Sequence, residues 1–186
     1  MASFPTHMIL GAALGTGIAQ PPQRGRVLLL GAACAALPDL DAIGYWLGVP
    51  YGSLFGHRGF THSLVFAVLL ATVSVVAVGR RGIGGTSAPW LWAYLFVATA
   101  SHGLLDAMTD GGMGVAFFAP FSTERYFLPW RPIAVSPIGI QRFFSARGVM
   151  ILASEAVWVW LPAGVIAWVG TVVRRECRVE RRGSRV

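Results

Sequence analysis

The residues that could bind a metal ion are concentrated in a few short stretches of this sequence. All four histidines and all four aspartates fall into four clusters, which are Thr6-His7, Pro38-Asp39-Leu40-Asp41, the stretch from His57 to His62, and the stretch from His102 to Asp110. Neutral imidazole and carboxylate groups are the usual ligands of zinc and of related hydrolytic metals. The pattern therefore predicts a metal site that is assembled from distant parts of the chain.

The spacing within the clusters predicts how their side chains are presented. His57 and His62 would diverge by about 140° on one helix, so we place His57 in the glycine-containing turn and His62 in the first helical turn. His102 and Asp106 are four residues apart, which puts them on one face of a helix. Asp110 continues that face if the helix persists.

The composition indicates an integral membrane protein. The chain has 186 residues, of which 55% are hydrophobic and only 12% are charged, and its mean hydropathy is +0.62. Such a chain is too apolar for a soluble domain of ordinary composition. The formal charge of +7 comes from arginine alone, and most arginines flank apolar runs. This placement favours membrane topology and phosphate contacts over nucleic-acid binding.

The apolar runs predict an all-α polytopic membrane bundle of about five helices, at 7–19, 27–37, 60–79, 89–108 and 149–173. The first two are shorter than the roughly 20 residues that span a bilayer, and the third is the clearest transmembrane helix. Pro38 is expected to end the second helix. A long extracytoplasmic loop precedes the last helix. We predict a single membrane-embedded domain over 1–173 and a basic cytoplasmic tail over 174–186.

The arginines also predict the orientation of the helices. Arg24, Arg26, Arg80, Arg81 and the tail all fall on the cytoplasmic side if the helices alternate in direction. The four metal-ligand clusters then converge on the extracytoplasmic side. Only 13 residues, or about 20 Å of helix, separate Arg26 from Asp39, against a hydrocarbon core of about 30 Å. The site would therefore lie within the outer leaflet, where a lipid or a lipid-linked headgroup can reach it.

Together these motifs resemble the YdjM-like membrane-bound metal-dependent hydrolases of bacteria and archaea, over about residues 1 to 135. The resemblance implies an all-helical inner-membrane protein with hydrolase activity. A looser similarity, to the zinc-dependent phospholipase C and nuclease class, rests on a His-x-x-x-Asp pair like His102 and Asp106, although this chain lacks the further histidines of a three-zinc site. The motifs that carry the main resemblance are Pro5-Thr6-His7 with Gly11, Pro38-Asp39-x-Asp41, His57-Arg58-Gly59-x-Thr61-His62-Ser63, His102-x-x-Leu105-Asp106-x-x-Thr109, Pro120-Phe121-Ser122 and Arg125-Tyr126.

The resulting hypothesis is a phosphoesterase that acts on a lipid or lipid-linked phosphate with one or two Zn²⁺ ions, or with Mn²⁺ or another divalent metal. Asp41 is the candidate general base or a bridging ligand, with Asp110 as the alternative base. Arg58 and Arg125 would clamp phosphate bidentately, or would instead face lipid headgroups. The predicted metal ligands are His7, Asp39, His57, His62, His102 and Asp106.

Other functions remain open from the sequence. The same ligands could line the pathway of a metal or proton transporter, although few polar residues continue from the clusters toward the cytoplasm. They could also hold a structural metal in a non-catalytic protein. An intramembrane metalloprotease is disfavoured because His-Glu-x-x-His is absent. Glu155, inside the last apolar run, is open between a partner of the metal ligands and a hydrogen bond in helix packing.

Overall fold

The regular structure of the chain is helical. The computed structural model describes residues 1–78, 82–83, 85–136 and 145–183, with only the backbone for 177–183. Within these residues the only β-type pairings are isolated bridges, so the predicted all-α class is confirmed. The helices are α1 Phe4–Leu14, α2 Arg24–Ala36, α3 Ile43–Trp46, α4 Leu64–Val78, α5 Ala88–Ala107, α6 Ala146–Glu155 and α7 Leu161–Gly183.

The second α-helix ends at Ala36, just before Pro38, as the sequence predicted, but the helical backbone does not break there. After α2 the chain tightens into a 3₁₀ turn, Leu37–Ala42, which leads directly into α3. Pro38 occupies the first turn of this 3₁₀ segment, where a missing N–H group costs no hydrogen bond. A 3₁₀ segment turns by about 120° per residue, so Asp39 and Asp41 point in different directions.

Two stretches are long and apolar enough to cross a membrane, by length and composition, in the part of the chain that the structure describes. They are Arg24–Trp46 and Ala146–Glu176. The run at 60–79, which looked like the clearest span, forms an α-helix over the fifteen residues Leu64–Val78, because residues 60–62 make a 3₁₀ turn and Ser63 is extended. Arg80 and Arg81, which were expected to end this helix, lie outside the described residues.

The last helix is longer than the sequence predicted. A π turn, Ala156–Trp160, joins α6 to α7 without a break. The helical backbone continues to Gly183, ten residues beyond the predicted end at Val173, so the arginine-rich tail begins as helix.

The loop between α5 and α6 is folded back onto the end of α5. An isolated bridge pairs Thr109 with Ile133, and a second pairs Val115 with Tyr126. Ile133 is fully buried, and the amide of Leu128 donates to the carbonyl of Ala107. The predicted long connection is thus present over its described part. Pro137 and the rest of 137–144 lie outside the described residues.

Close helix packing depends on glycine where α1, α2 and α5 meet. The Tyr94 hydroxyl of α5 donates a 2.8 Å hydrogen bond to the carbonyl of Gly11 in α1. A Cβ added at Gly31 of α2 would overlap this hydroxyl. Only glycine therefore leaves room for the tyrosine to insert between α1 and α2.

We expect Gly31→Ala to destabilise the folded protein in detergent by about 1–3 kcal/mol, the usual cost of overpacking. Gly25→Ala is the matched control in the same helix, because a Cβ at Gly25 meets nothing within 4 Å. It should be neutral or slightly stabilising, since alanine is the better helix former. Thermal unfolding of both variants measures the difference, and equal stability would contradict this description of the packing.

Candidate metal centre

Five side chains from four elements meet in one buried cluster. His7 lies at the start of α1, Asp39 in the 3₁₀ turn after α2, and His62 in the 3₁₀ turn before α4. His102 and Asp106 lie in the last turns of α5, on one face as their spacing predicted. All five residues are buried, with at most 5% of their surface exposed. The convergence of the four clusters that the sequence predicted is therefore present in the structure.

The side-chain atoms of this cluster lie at distances that suit a common metal ligand set. His62 Nε2 is 3.0 Å from His102 Nε2 and 3.6 Å from Asp106 Oδ2. His102 Nε2 is 3.4 Å from Asp39 Oδ1, and His7 Nε2 is 3.5 Å from Asp106 Oδ1. Ligands bonded tetrahedrally to zinc at about 2.0–2.2 Å are about 3.3–3.6 Å apart. The set of Asp39, His62, His102 and Asp106 could hold one metal ion.

The hydrogen bonding of the cluster is incomplete in a way that a cation would satisfy. Among the described residues, every buried side-chain nitrogen or oxygen without a hydrogen-bond partner belongs to the cluster or to its immediate neighbours. Burying polar atoms without a hydrogen-bond partner costs free energy, so such a group of atoms indicates a binding site. A cation would accept lone pairs from the carboxylate oxygens and from one nitrogen of each imidazole in this set, but not from Arg58 Nε, which is a donor. They are His7 Nδ1 and Nε2, Asp39 Oδ1 and Oδ2, His57 Nε2, Arg58 Nε and Asp106 Oδ2.

Two of the imidazoles are held through Nδ1, which leaves Nε2 for the cluster. His102 Nδ1 is 2.7 Å from the carbonyl oxygen of Ala35, an acceptor that requires a proton on Nδ1. His62 Nδ1 is 3.2 Å from Asp41 Oδ2. Metal-binding histidines almost always donate their second N–H group in this way. The ring orientations therefore fit ligation through Nε2.

Negative charge surrounds His62. Burial lowers the pKa of its imidazole, but the carboxylates of Asp106 and Asp41 outweigh burial and raise the pKa of His62 to about 9. An imidazole that is stabilised as a cation in this way lies in a field that attracts cations in general. A metal ion bound here would therefore compete with protons for the same position.

Asp41 and His57 form a second group that shares His62. Asp41 Oδ1 is 2.6 Å from His57 Nδ1, and Asp41 Oδ2 accepts a 2.6 Å hydrogen bond from the Thr61 hydroxyl. Asp41, His57 and His62 together could also hold a metal ion. The Asp41 carboxylate contacts two imidazoles and a hydroxyl, so it is placed to orient histidines, and its role as a general base or bridging ligand stays a prediction. Thr61 was not predicted, although it stands inside the recognised motif.

Arg58 is used differently from the sequence prediction. Its side chain is fully buried, with Nε 3.0 Å from Asp106 Oδ2 and hydrogen bonds to the Gly111 carbonyl and the Thr109 hydroxyl, each 2.9 Å long. Its φ of +63°, unusual outside glycine, directs the side chain inward. Because the buried guanidinium lies against Asp106, Gly111 and Thr109, Arg58 is placed to balance the charge of Asp106, and its predicted phosphate contact would depend on its remaining N–H groups.

Arg125 holds the loop that carries His57. Its guanidinium donates hydrogen bonds to the carbonyls of His57, Tyr51 and Ser53, at 3.0, 3.1 and 3.2 Å. These contacts use three of the five N–H groups of an arginine. Only the two remaining N–H groups of Arg125 would be available for the predicted contact with phosphate.

Asp110 does not continue the ligand face of α5. The helix ends at Ala107, and Asp110 is exposed, with its Oδ1 accepting a 2.8 Å hydrogen bond from the Val135 amide. The expected continuation of the face is thus wrong. Asp110 anchors the returning loop, and its predicted place as an alternative base has no support in this geometry.

Glu155 makes helix-packing hydrogen bonds to residues at the N-terminus of α1. Its carboxylate accepts hydrogen bonds from the Ser3 amide and hydroxyl and a 2.7 Å hydrogen bond from the Thr6 hydroxyl. The sequence contained one signal for this role, a lone acidic residue inside an apolar helix. It contained no signal for the partner, which lies about 150 residues away.

Comparison of the chain with known proteins points to the inner membrane. The profile of the YdjM inner membrane protein family matches residues 1–177. The chain is 40% identical over 173 residues to "Inner membrane protein YbcI" of Escherichia coli K12, covering 90% of this chain and 98% of that protein. It is 32% identical over 133 residues to "Uncharacterized protein YvsG" of Bacillus subtilis 168, covering 67% and 76%. No solved structure matches the chain significantly.

Proposed function

Because the chain belongs to the YdjM inner membrane protein family, we propose that it is an inner-membrane, metal-dependent hydrolase that cleaves a phosphoester of a lipid or lipid-linked substrate. The observation that carries this proposal is the buried set of imidazole and carboxylate groups whose ligand atoms lack hydrogen-bond partners. Ionisable groups at membrane depth are costly, and they are usually functional. A set of this size and geometry is best explained by a divalent cation.

The predicted ligands divide into two groups around His62. His7, Asp39, His62, His102 and Asp106 would hold one Zn²⁺ ion, and His57 Nε2 with Asp41 would contribute to a second. When bound, such ions polarise a phosphoryl oxygen and activate water near neutral pH. In this chain Asp41 holds Nδ1 of His57, which leaves His57 Nε2 to take a proton or to bind the second ion. Mn²⁺ or another divalent metal would suit the same donors.

A lipid substrate is supported by the apolar surface beside the metal centre. The 3₁₀ turn that carries Asp39 and Asp41 runs into α3, where Trp46 is 68% exposed. The loop that packs on Arg58 carries Phe121, which is 87% exposed. Tryptophan and other aromatic side chains are enriched at membrane interfaces, and large exposed apolar patches mark membrane or ligand contacts. Other exposed apolar residues at this end are Tyr45, Leu47, Phe55, Phe118 and Trp130.

Exposed apolar side chains on the last helices, and the positions of arginines, support a multi-pass topology with the metal centre on the extracytoplasmic side. The outer faces of α6 and α7 expose Val149, Leu161, Val165 and Trp168, as expected of a helix that contacts lipid tails. Arg24 begins α2, at the opposite end of that helix from Asp39, and Arg174, in the second half of α7, donates a hydrogen bond to the Ala19 carbonyl just before α2. The positive-inside rule puts such charge on the cytoplasmic side. Lipid headgroups in the outer leaflet would then reach the centre laterally.

Hydrolysis of defined lipids with and without bound metal tests the proposal. Purified protein should release headgroup from a phosphodiester lipid or phosphate from a phosphomonoester lipid. Chelation should abolish the release, and added zinc should restore it. His102→Ala protein, assayed in parallel, controls for contaminating hydrolases. Bound metal with no turnover on either lipid class would contradict the hydrolase and favour a transporter or a structural metal.

A further inference from the structure

The C-terminal helix, formed by α6, the π turn and α7, contacts the first turn of α1 through one buried carboxylate. Glu155 is fully buried at the end of α6, and its carboxylate accepts hydrogen bonds from Ser3 and Thr6 at the start of α1. Ser3 occupies the N-cap position of α1, but its side chain makes no capping bond of its own. The first N–H groups of a helix need acceptors, and the helix dipole favours negative charge there. Glu155 supplies both from a distant part of the chain.

The π turn explains how two residues of this helix reach the same threonine. Trp160 Nε1 donates a 2.8 Å hydrogen bond to Thr6 Oγ1, the hydroxyl that also donates to Glu155. Residues five apart in an α-helix diverge by about 140°, so an uninterrupted α-helix would turn Trp160 away. The i to i+5 hydrogen bonds of the turn at Ala156–Trp160 bring residues five apart toward one side.

His7 follows Thr6 and is the one imidazole of the cluster that no polar group orients. Both of its ring nitrogens lack hydrogen-bond partners among the described residues. His57, His62 and His102, in contrast, are each held through Nδ1. His7 stacks on His102 with a ring centroid separation of 3.7 Å, a contact that permits sliding. Its position therefore depends on where the first turn of α1 is fixed.

We propose that Glu155 is a positioning residue of the metal centre: it fixes the first turn of α1 and thereby sets His7 Nε2 against the carboxylates of Asp39 and Asp106. This inference rests on the proposed metal centre, but not on hydrolase activity. It makes the C-terminal helix, which contributes none of the predicted metal ligands, a determinant of metal affinity. The expected effect matches that of an outer-shell partner, roughly 10- to 100-fold in metal affinity.

The test is the zinc affinity of Glu155→Gln protein, measured by competition with a chelator of known affinity. Glutamine keeps the shape of the side chain but removes the charge at the helix N-terminus, and we expect zinc affinity to fall at least about 10-fold. Ser154→Ala is the matched control on the same helix, because Ser154 contacts the loop at Ala134 and not α1. It should bind zinc like the original protein.

A double-variant cycle separates positioning of His7 from general loosening of the fold. In a His7→Ala background, Glu155→Gln should cause no further loss of affinity, because the ligand that it positions is gone. In an Asp41→Asn background the two losses should add, since Asp41 holds different histidines. Additive losses with His7→Ala, or an unchanged affinity of Glu155→Gln protein, would overturn the inference.

Two further measurements keep the test decisive. Amide hydrogen exchange at the start of α1 should become faster in Glu155→Gln protein and stay unchanged in Ser154→Ala protein, and unchanged exchange in both would also overturn the inference. If Glu155→Gln protein does not fold, Thr6→Val removes the shared hydroxyl and should lower zinc affinity in the same direction; an unchanged affinity there is an equally negative result. Failure of the original protein to bind zinc would instead reject the metal centre itself.

Discussion

His62→Ala should abolish zinc binding while the helices remain folded. His62 is the only residue that belongs to both candidate ligand groups, with Nε2 3.0 Å from His102 Nε2 and Nδ1 3.2 Å from Asp41 Oδ2. Loss of an outer-shell partner alone costs 10- to 100-fold in metal affinity, so we expect loss of His62 to cost more than about 100-fold. Elemental analysis of the purified variant measures the bound metal, and far-ultraviolet circular dichroism measures the helix content.

The neighbouring residue provides the control. The Ser63 hydroxyl accepts a 3.1 Å hydrogen bond from the Phe66 amide at the start of α4, outside both ligand groups. Ser63→Ala should therefore lower stability by about 0.5–2 kcal/mol through loss of a cap and still bind zinc at the original stoichiometry. A full complement of zinc in His62→Ala protein would remove His62 from the ligand set.

Arg58→Met should be the most destabilising substitution at the centre. It leaves the carboxylate of Asp106 buried without its 3.0 Å guanidinium partner, and it removes the donors to Gly111 and Thr109. Removal of one partner of a buried ion pair costs roughly 3–5 kcal/mol. We expect such a loss in the free energy of unfolding of metal-free protein, measured by denaturant titration in detergent.

A second substitution distinguishes charge from packing. Asp106→Asn removes the buried charge, so Arg58→Met with Asp106→Asn should be more stable than Arg58→Met alone. The double variant should bind zinc weakly, because it lacks the Asp106 carboxylate. Arg58→Lys keeps a positive charge at a position with the same positive φ. Its free energy of unfolding should lie between those of the original protein and the Arg58→Met variant. If the free energy of unfolding of Arg58→Met protein equals that of the original protein, Arg58 does not balance the charge of Asp106. A substrate-binding role for Arg58 would then have to be reconsidered.

The sequence predicted the cluster because ligand-type residues are rare in this chain and stand at helix ends. Arginine positions gave the helices alternating directions, which brought His7, Asp39, His62 and His102 to one end. The four-residue spacing of His102 and Asp106 was enough to place both on one face of α5. These inferences used periodicity and charge, which are local properties of the chain.

The roles of residues whose side-chain direction depends on the fold could not be predicted from such local properties. Arg58 looks like a phosphate ligand in the sequence, but its positive φ sends it into the protein toward Asp106. The predicted place of Asp110 on the ligand face required α5 to continue, but α5 ends three residues earlier. Asp41 and Glu155 both act as acceptors for groups that only the fold brings near. In each case a long-range hydrogen bond decided the role, and no local pattern encodes such a bond.

The most direct test of the metal centre is the metal content of the original protein, purified in detergent without chelators and again after exposure to zinc and removal of the excess. One to two tightly bound zinc ions per chain, or an equivalent amount of another divalent metal, is the predicted result. A chain that retains no divalent metal under either condition would contradict the central claim, because the unpaired imidazole and carboxylate atoms would then need another explanation.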